Sequence, residues 1–469
     1  MQYVDLIAQT FDFPNDEFQL EGDQLHFHGI PLMELVAEYG TPLKLTYLPK
    51  ISRHIQQARQ LFADAIKKYN YGGRYDYAYC TKSSHFRFVM EEVLRNDVHI
   101  ETSSAYDLPI VRELHRRGLL PKDRFIICNG FKRELYRQYI CDLLHDGFEN
   151  VVPVLDHLGE IDHYEQHLSV PCQLGIRVAA NEEPKFAFYT SRLGVRYADV
   201  VPLYRERIKP NPKFRLKMLH FFINTGIRDS SYYWSELSRF VEKYCDLKEE
   251  CPELDTIDIG GGMPVRNSLY FDYNYAYMID QIVKNVQEIC RARGVAEPDI
   301  LTEFGIYTVG ESGATIYSVL DEKLQNDVER WYMIDSSFIT TLPDVWGQNQ
   351  KYIMLALNHW QQPTQRVNLG GLTCDSEDYY NSEAHIGEVF LPRIPEGAPL
   401  YVGFFHTGAY QETLGGYGGL QHCLVPAPQH VLVRRDDAGQ LVTERFAPEQ
   451  DAESMLKILG YRTEPPVGG

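Results

Sequence analysis

No apolar stretch in this chain approaches the roughly 18 residues a helix needs to cross a bilayer. No basic segment followed by a long apolar core opens it, so neither a membrane span nor a secretory leader is expected. The nine cysteines are odd in number and contain no C-x-x-C pair, which argues against a disulfide framework and suits a reducing, cytoplasmic setting. Positive charge is in deficit: 46 Lys and Arg against 65 Asp and Glu leave a formal net charge of −19. Nucleic acids and anionic membranes both reward basic surfaces, so neither is expected as a partner, whereas a small cationic substrate is compatible. Low-complexity tracts are absent too. The remaining composition, 44% hydrophobic and 24% charged over 469 residues, is that of a globular protein too long for one simple core. His163 and His167 stand at helical i, i+4 spacing but have no third ligand and no H-E-x-x-H context. An exposed helix face is the stronger reading, and no metal is expected.

From about Tyr75 to Gly305, short apolar runs alternate with longer amphipathic ones. The strand-like runs are Asp76–Cys80, Asp97–Glu101, Arg124–Cys128, Val151–Leu155, Cys172–Val178, Arg215–Phe221, Leu254–Ile259 and Asp299–Glu303. Helical patterns such as "AYDLPIVRELHRRG" and "DYNYAYMIDQIVKNVQEICRARG" separate them, the second ending on an Arg-Gly stop. Eight strands alternating with helices predict an α/β fold, a (β/α)8 barrel of the TIM type. A doubly wound open sheet is the alternative, because strand order is not written in a sequence. Beyond Gly305, "RWYMIDSSF", "RVNLGGLTC", "APLYVGFF" and "QHVLVRRDDAGQLVTERF" read as strands between turns. The expected organisation is therefore a barrel over 49–315 and a mostly β domain over 316–469. The β-leaning N-terminal segment 1–48, with "QLHFHGIPL" and "PLKLTYL", joins that β domain.

Chemistry in a barrel collects at the C-terminal strand ends. There the first strand delivers Lys82, the sixth runs into "HFFINTGIR", the seventh ends in Gly260-Gly261-Gly262 and the eighth ends at Glu303. Singly, Lys82 reads equally well as a solvated loop residue, the glycines as a tight turn and Glu303 as a buried, paired carboxylate. Jointly they supply a lysine able to bond an aldehyde, a run of N–H groups for an anion and a carboxylate to face a pyridine nitrogen. These are the requirements of pyridoxal 5'-phosphate.

At these positions the sequence resembles the group IV, alanine-racemase-like pyridoxal-phosphate decarboxylases, and among them the biosynthetic arginine decarboxylases. The matching segments run from "IETSSAYDL" and "ICNGFKRELY" through "LGIRV", "KMLHFFINTG" and "IDIGGGMPV" to "TCDSEDYY" and "VGFFHTGAYQETLGG". The resemblance implies that Lys82 carries the cofactor, Gly260, Gly261 and Gly262 hold its phosphate, and Thr225 and Tyr410 add hydroxyl contacts. It implies that Glu303 keeps the pyridine nitrogen protonated with support from Arg177, that Cys374 is the proton donor, and that Asp375 grips the substrate's distal cation. Glu377 and Asp378, in the acidic run "DSEDYYNSE", would complete a cation-selecting rim. It further implies a homodimer with shared active sites and decarboxylation of a basic L-amino acid, arginine to agmatine in polyamine biosynthesis. Ornithine, lysine, diaminopimelate or a carboxylated polyamine are the alternative substrates, and a catalytically silent regulator is the alternative of another class. Two residues depart from the pattern. Phe222 stands where the family stacks a histidine on the cofactor ring, and Ile306 stands where an arginine often reaches the phosphate, a charge that Arg228 or Arg266 would have to replace.

Overall fold

The structure, a computed structural model, describes residues 1–10, 13–181, 188–380 and 389–461. It divides into two compact units, one of Ile51–Pro264 with Tyr273–Thr308, the other of Met1–Lys50, Val265–Asp272 and Val309–Gly469.

In the first unit eight apolar runs form parallel strands: β1 (Tyr75–Cys80), β2 (His99–Thr102), β3 (Ile126–Cys128), β4 (Val151–Leu155), β5 (Cys172–Arg177), β6 (Phe214–His220), β7 (Thr256–Asp258) and β8 (Asp299–Phe304). Each pairs with its chain neighbour, and Ile300–Phe304 of β8 pairs with Tyr75–Tyr79 of β1. The barrel is closed, which removes the open-sheet alternative. Strands covered on both faces read as continuous apolar text instead of alternating text. Ala78, Phe125, Ile127, Val152, Val154, Met218 and Leu301 fill the buried interior. A packed interior leaves polar residues at the strand ends only the rim to occupy. The helix Tyr275–Arg293 begins at Asn274, whose side chain accepts from the Tyr277 N–H, and ends at Gly294 in the left-handed region. The run starting at Asp97 pairs only from His99, because Asp97 itself turns with φ 56°.

The second unit is built on a nine-stranded sheet. Leu43–Tyr47, from "PLKLTYL", is fully buried between Gly313–Leu324, antiparallel to it, and Gln429–Arg435, parallel to it. An N-terminal segment thus supplies an interior strand of a sheet otherwise made by the C-terminal part of the chain. Gln429–Arg435 turns back through Asp-Ala-Gly to pair with Leu441–Ala447. A large core runs beneath, including Phe18, Phe27, Ile316, Phe338 and Phe404.

Candidate functional site

The first strand stops at Cys80, where its apolar run ends, two residues before Lys82. Thr81–Ser83 form a single 3-10 turn, closed by the Ser84 N–H donating to the Thr81 carbonyl. That turn swings Lys82 off the strand direction and leaves its side chain 49% exposed at the rim. It can sit there because residue 305 is glycine: a Cβ on Gly305 would fall 2.0 Å from Ser83 Oγ. Lys82 Nζ lies 3.6 Å from Glu101 Oε2 at the end of β2, a carboxylate with no exposure. The Cys80 thiol donates to the same oxygen at 2.7 Å. Asn129, just past β3, donates from Nδ2 to Glu101 Oε1 at 3.2 Å and to Glu303 Oε1 at 2.5 Å. One amide therefore bridges the carboxyl beside Lys82 and the carboxyl at the end of β8.

Around Glu303 the site is crowded with buried acid. His220 Nδ1, at the end of β6, stands 3.1 Å from Asp258 Oδ2 and 3.8 Å from Glu303 Oε2. Burial pushes Asp258 up to about 7, against the hydrogen bonds it receives from the Glu303 side chain and the Gly260 N–H. Burial, with Asp258 beside it, raises Glu303 well above the usual carboxylate range. Burial also brings His220 down to about 4, so this imidazole is neutral near pH 7. The result is a carboxyl pair that keeps a proton because nothing cationic enough is pressed against it. Arg177, at the end of β5, feels Asp156 and Glu303, and burial lowers its pKa. Its guanidinium carbon lies 5.9 Å from the centre of the Phe222 ring.

The glycine run is a turn that tolerates no side chains. Gly260 and Gly262 have φ of +70° and +92°. A Cβ on Gly261 would lie 2.6 Å from the Glu303 carbonyl oxygen, and one on Gly226 would lie 2.5 Å from the Gly262 oxygen. Glu303 N–H donates to Gly260 O and Ile227 N–H to Gly262 O, both at 2.9 Å. Thr225, half-buried, precedes Gly226 and so belongs to the loop stitched to this turn. Phe222 is 36% exposed, a high value for a phenyl ring beside a buried site. Lys82, Arg177, Phe222, Thr225, the three glycines and Glu303 all lie in the barrel unit, at or just beyond its C-terminal strand ends.

Tyr410, Cys374, Asp375, Glu377 and Asp378 lie in the β-rich unit. Tyr410 adopts a left-handed conformation, φ 69°, at the start of the short helix Gln411–Gly415. Cys374, Asp375 and Glu377 are exposed, and the Glu377 N–H donates to Asp375 Oδ1 at 2.9 Å. Asp378 departs from its expected place on the rim. It is buried, and its oxygens accept from the N–H groups of Phe338 at 2.8 Å and Thr373 at 3.0 Å and from Thr373 Oγ1 at 2.7 Å. A carboxylate so occupied shapes the loop that presents Cys374 and Asp375; it does not read a ligand. The end of the acidic run, 381–383, lies outside the described residues. Arg266 is likewise engaged elsewhere, its Nη1 3.6 Å from Glu17 Oε2 within the same unit, while Arg228 is exposed in the barrel loop after Gly226.

Sequence reasoning passed over Glu101, Asn129, Asp258 and His220. The signal was present, since all four lie in the segments that carry the resemblance and Glu101 and Asp258 stand at strand ends, yet their residue types alone gave them no role.

The chain matches the family model described as pyridoxal-dependent decarboxylase, pyridoxal binding domain, over residues 48–310. It is 21% identical to biosynthetic arginine decarboxylase 2 of Synechocystis sp., over 93% of this chain and 86% of that protein. Its fold is similar to that of the biosynthetic arginine decarboxylase SpeA from Campylobacter jejuni, with a TM-score of 0.81, 18% identity, and coverage of 98% and 91% of the two chains. It is also similar to diaminopimelate decarboxylase from Helicobacter pylori complexed with L-lysine, with a TM-score of 0.72, 17% identity, and coverage of 92% and 99%.

Proposed function

From the premise that this chain belongs to the pyridoxal-dependent decarboxylases, with pyridoxal 5'-phosphate as cofactor, we propose that it decarboxylates L-arginine to agmatine and CO2. The observation that carries the reading is the continuous network from Lys82 through Glu101 and Asn129 to Glu303, laid beside the glycine turn. The barrel's residues fit the cofactor. Gly261 and the left-handed Gly262 bring backbone N–H groups to the strand end for a phosphate, and among the described residues the buried Asn129 Oδ1 lacks a hydrogen-bond partner. When bound, the cofactor supplies the electron sink for the carbanion left by loss of CO2.

The chain's own residues do the rest. Lys82, accessible at the rim, would hold the cofactor through its amine. Glu303 holds a proton because burial and Asp258 oppose its charge, and it would supply that proton to a pyridine nitrogen bound beside it. Gly260 to Gly262 and Thr225 would receive the phosphate, Tyr410 is assigned to it by the family resemblance alone, and Arg228 would replace the family's arginine. Phe222 offers a half-exposed ring face, and Arg177 supports the Glu303 carboxyl. Cys374 returns the proton to the α-carbon, and Asp375, with Glu377 beside it, pairs with the guanidinium, whose planar fork matches a carboxylate. Following the family resemblance, we assign Cys374 and Asp375 to the partner's site in a homodimer. Free cysteines, seven of them buried, support a reducing cytoplasm. Supplying arginine, ornithine, lysine and diaminopimelate in turn, and measuring CO2 and the amine formed, tests the reading. Agmatine from arginine is expected as the preferred product. Preference for another substrate would replace arginine, and no CO2 from any of them would leave a silent relative.

A further inference from the structure

Nine cysteines are present, and seven of them are buried as small apolar core residues. The two exposed ones, Cys374 and Cys423, lie 49 residues apart in sequence yet hold their sulfurs 3.7 Å apart. A ring nitrogen of His422 joins them, all three ligand atoms falling within 4.8 Å of one another. Asp375 adds an oxygen, its Oδ2 being 3.9 Å from His422 Nε2. Two sulfurs bound tetrahedrally to zinc at about 2.3 Å each are themselves about 3.8 Å apart, the separation already present here. Backbone conformation points the same way. Cys423 and Leu424 both have φ of 53°, a left-handed conformation that non-glycine residues rarely adopt and that gathers at functional sites. Among the described residues, the other two clusters of ligand-type side chains differ in kind. Glu17, Glu311 and His406 are buried and already compensated by Lys50 and Arg266, and His220, Asp258 and Glu303 belong to the barrel site.

We propose that Cys374, His422 and Cys423 form a binding site for a thiophilic divalent cation of the zinc class, with Asp375 in reach as a fourth ligand. Soft thiolates with one imidazole select such an ion over magnesium or calcium. On binding, each thiol releases its proton to water and each sulfur bonds the metal, so no oxidant or reductant is involved. The consequence for turnover rests on the role proposed above for Cys374: a sulfur held by metal has no proton to give, and zinc becomes a reversible inhibitor.

The holoenzyme, reduced and freed of metal, is titrated with zinc against a chromogenic zinc indicator, and in parallel with cobalt. One zinc per chain is expected, and cobalt should give tetrahedral bands in the red, clear of the cofactor's absorbance. Cys423→Ser and His422→Ala, both at exposed positions, should each weaken zinc binding by about 100-fold or more, beyond the 10–100-fold typical of an outer-shell partner. Failure to take up stoichiometric zinc, or unchanged affinity in Cys423→Ser, would overturn the site. Recovery of a peptide cross-linking Cys374 to Cys423 in place of zinc uptake would overturn it as well. Stoichiometric binding that leaves turnover untouched would uphold the site and remove Cys374 from the proton-donor role.

Discussion

Gly226 and Gly294 share a left-handed backbone, φ +77° and +66°, but only one of them faces an obstacle. A Cβ at 294 meets nothing within 4 Å, whereas a Cβ at 226 would stand 2.5 Å from the Gly262 carbonyl oxygen. Real Cβ contacts essentially never fall below 3.0 Å, so in Gly226→Ala that oxygen must retreat by at least 0.5 Å. The same oxygen accepts the Ile227 N–H at 2.9 Å, so the retreat disturbs both strands of the proposed phosphate cradle. Each variant carries the cost of an alanine in the left-handed region, about 1–2 kcal/mol. The extra effect at 226 falls on cofactor binding. Loss of one charge-assisted N–H contact to phosphate costs about 1.5–3 kcal/mol. At 1.4 kcal/mol per tenfold, this weakens cofactor affinity by about 10- to 150-fold. Titrating apo forms of both variants with pyridoxal 5'-phosphate, alongside thermal melts, measures the two effects separately. A loss of Tm in both variants, larger in Gly226→Ala, with cofactor affinity reduced only in Gly226→Ala, is expected. Equal affinity in the two folded variants would refute the cradle.

Borohydride reduction of the holoenzyme followed by peptide mapping should leave the cofactor's mass on Lys82, and a label on any other lysine would displace the assignment. Mixing inactive Lys82→Ala with inactive Cys374→Ala subunits should restore partial activity if sites are shared; verified subunit exchange without activity would exclude sharing. Removing one partner of a desolvated charge pair costs about 2–5 kcal/mol, so Asp375→Asn should lower kcat/KM for arginine by roughly 30-fold or more. Asp378→Ala should act instead on stability, by about 2–4 kcal/mol, because it strips a buried acceptor from several donors. If Asp378→Ala melts like wild type, the loop-shaping role is wrong. In the β-rich unit, burial opposes charge on both Glu17 and His406, yet His406 and Lys50 hold the Glu17 carboxyl below its usual range while Glu17 raises His406. The Glu17 contribution is present above about pH 4.3 and lost on acidification; the His406 contribution is present below about pH 6.5 and lost as pH rises through its raised value. Tm should therefore peak between about pH 5 and 6.5, and His406→Gln should flatten the alkaline limb. An unchanged alkaline limb would discount the pair.

The eight barrel strands and the helix ending at Gly294 were legible in the sequence because they depend on local periodicity, composition and caps. Lys82, the glycine run and Glu303 were legible as chemistry because strand ends in a barrel share one rim. Closure of the barrel depended on pairing β8 with β1, more than 200 residues apart, which no local pattern encodes. Tertiary packing alone set Lys82 on a 3-10 turn just past the strand, since that turn needs the space left by Gly305. It alone linked Asn129 to Glu303, 174 residues away, and made the pair with Asp258 retain a proton, because burial and not residue type sets that affinity. Packing likewise turned Asp378 inward while Asp375, three residues earlier, stayed exposed: both are aspartates in one acidic run, and only the positions of the Phe338 and Thr373 N–H groups distinguish them. Residue types and spacing thus named the chemistry, while desolvation and long-range hydrogen-bond partners decided which members of each candidate set have their charge left to use.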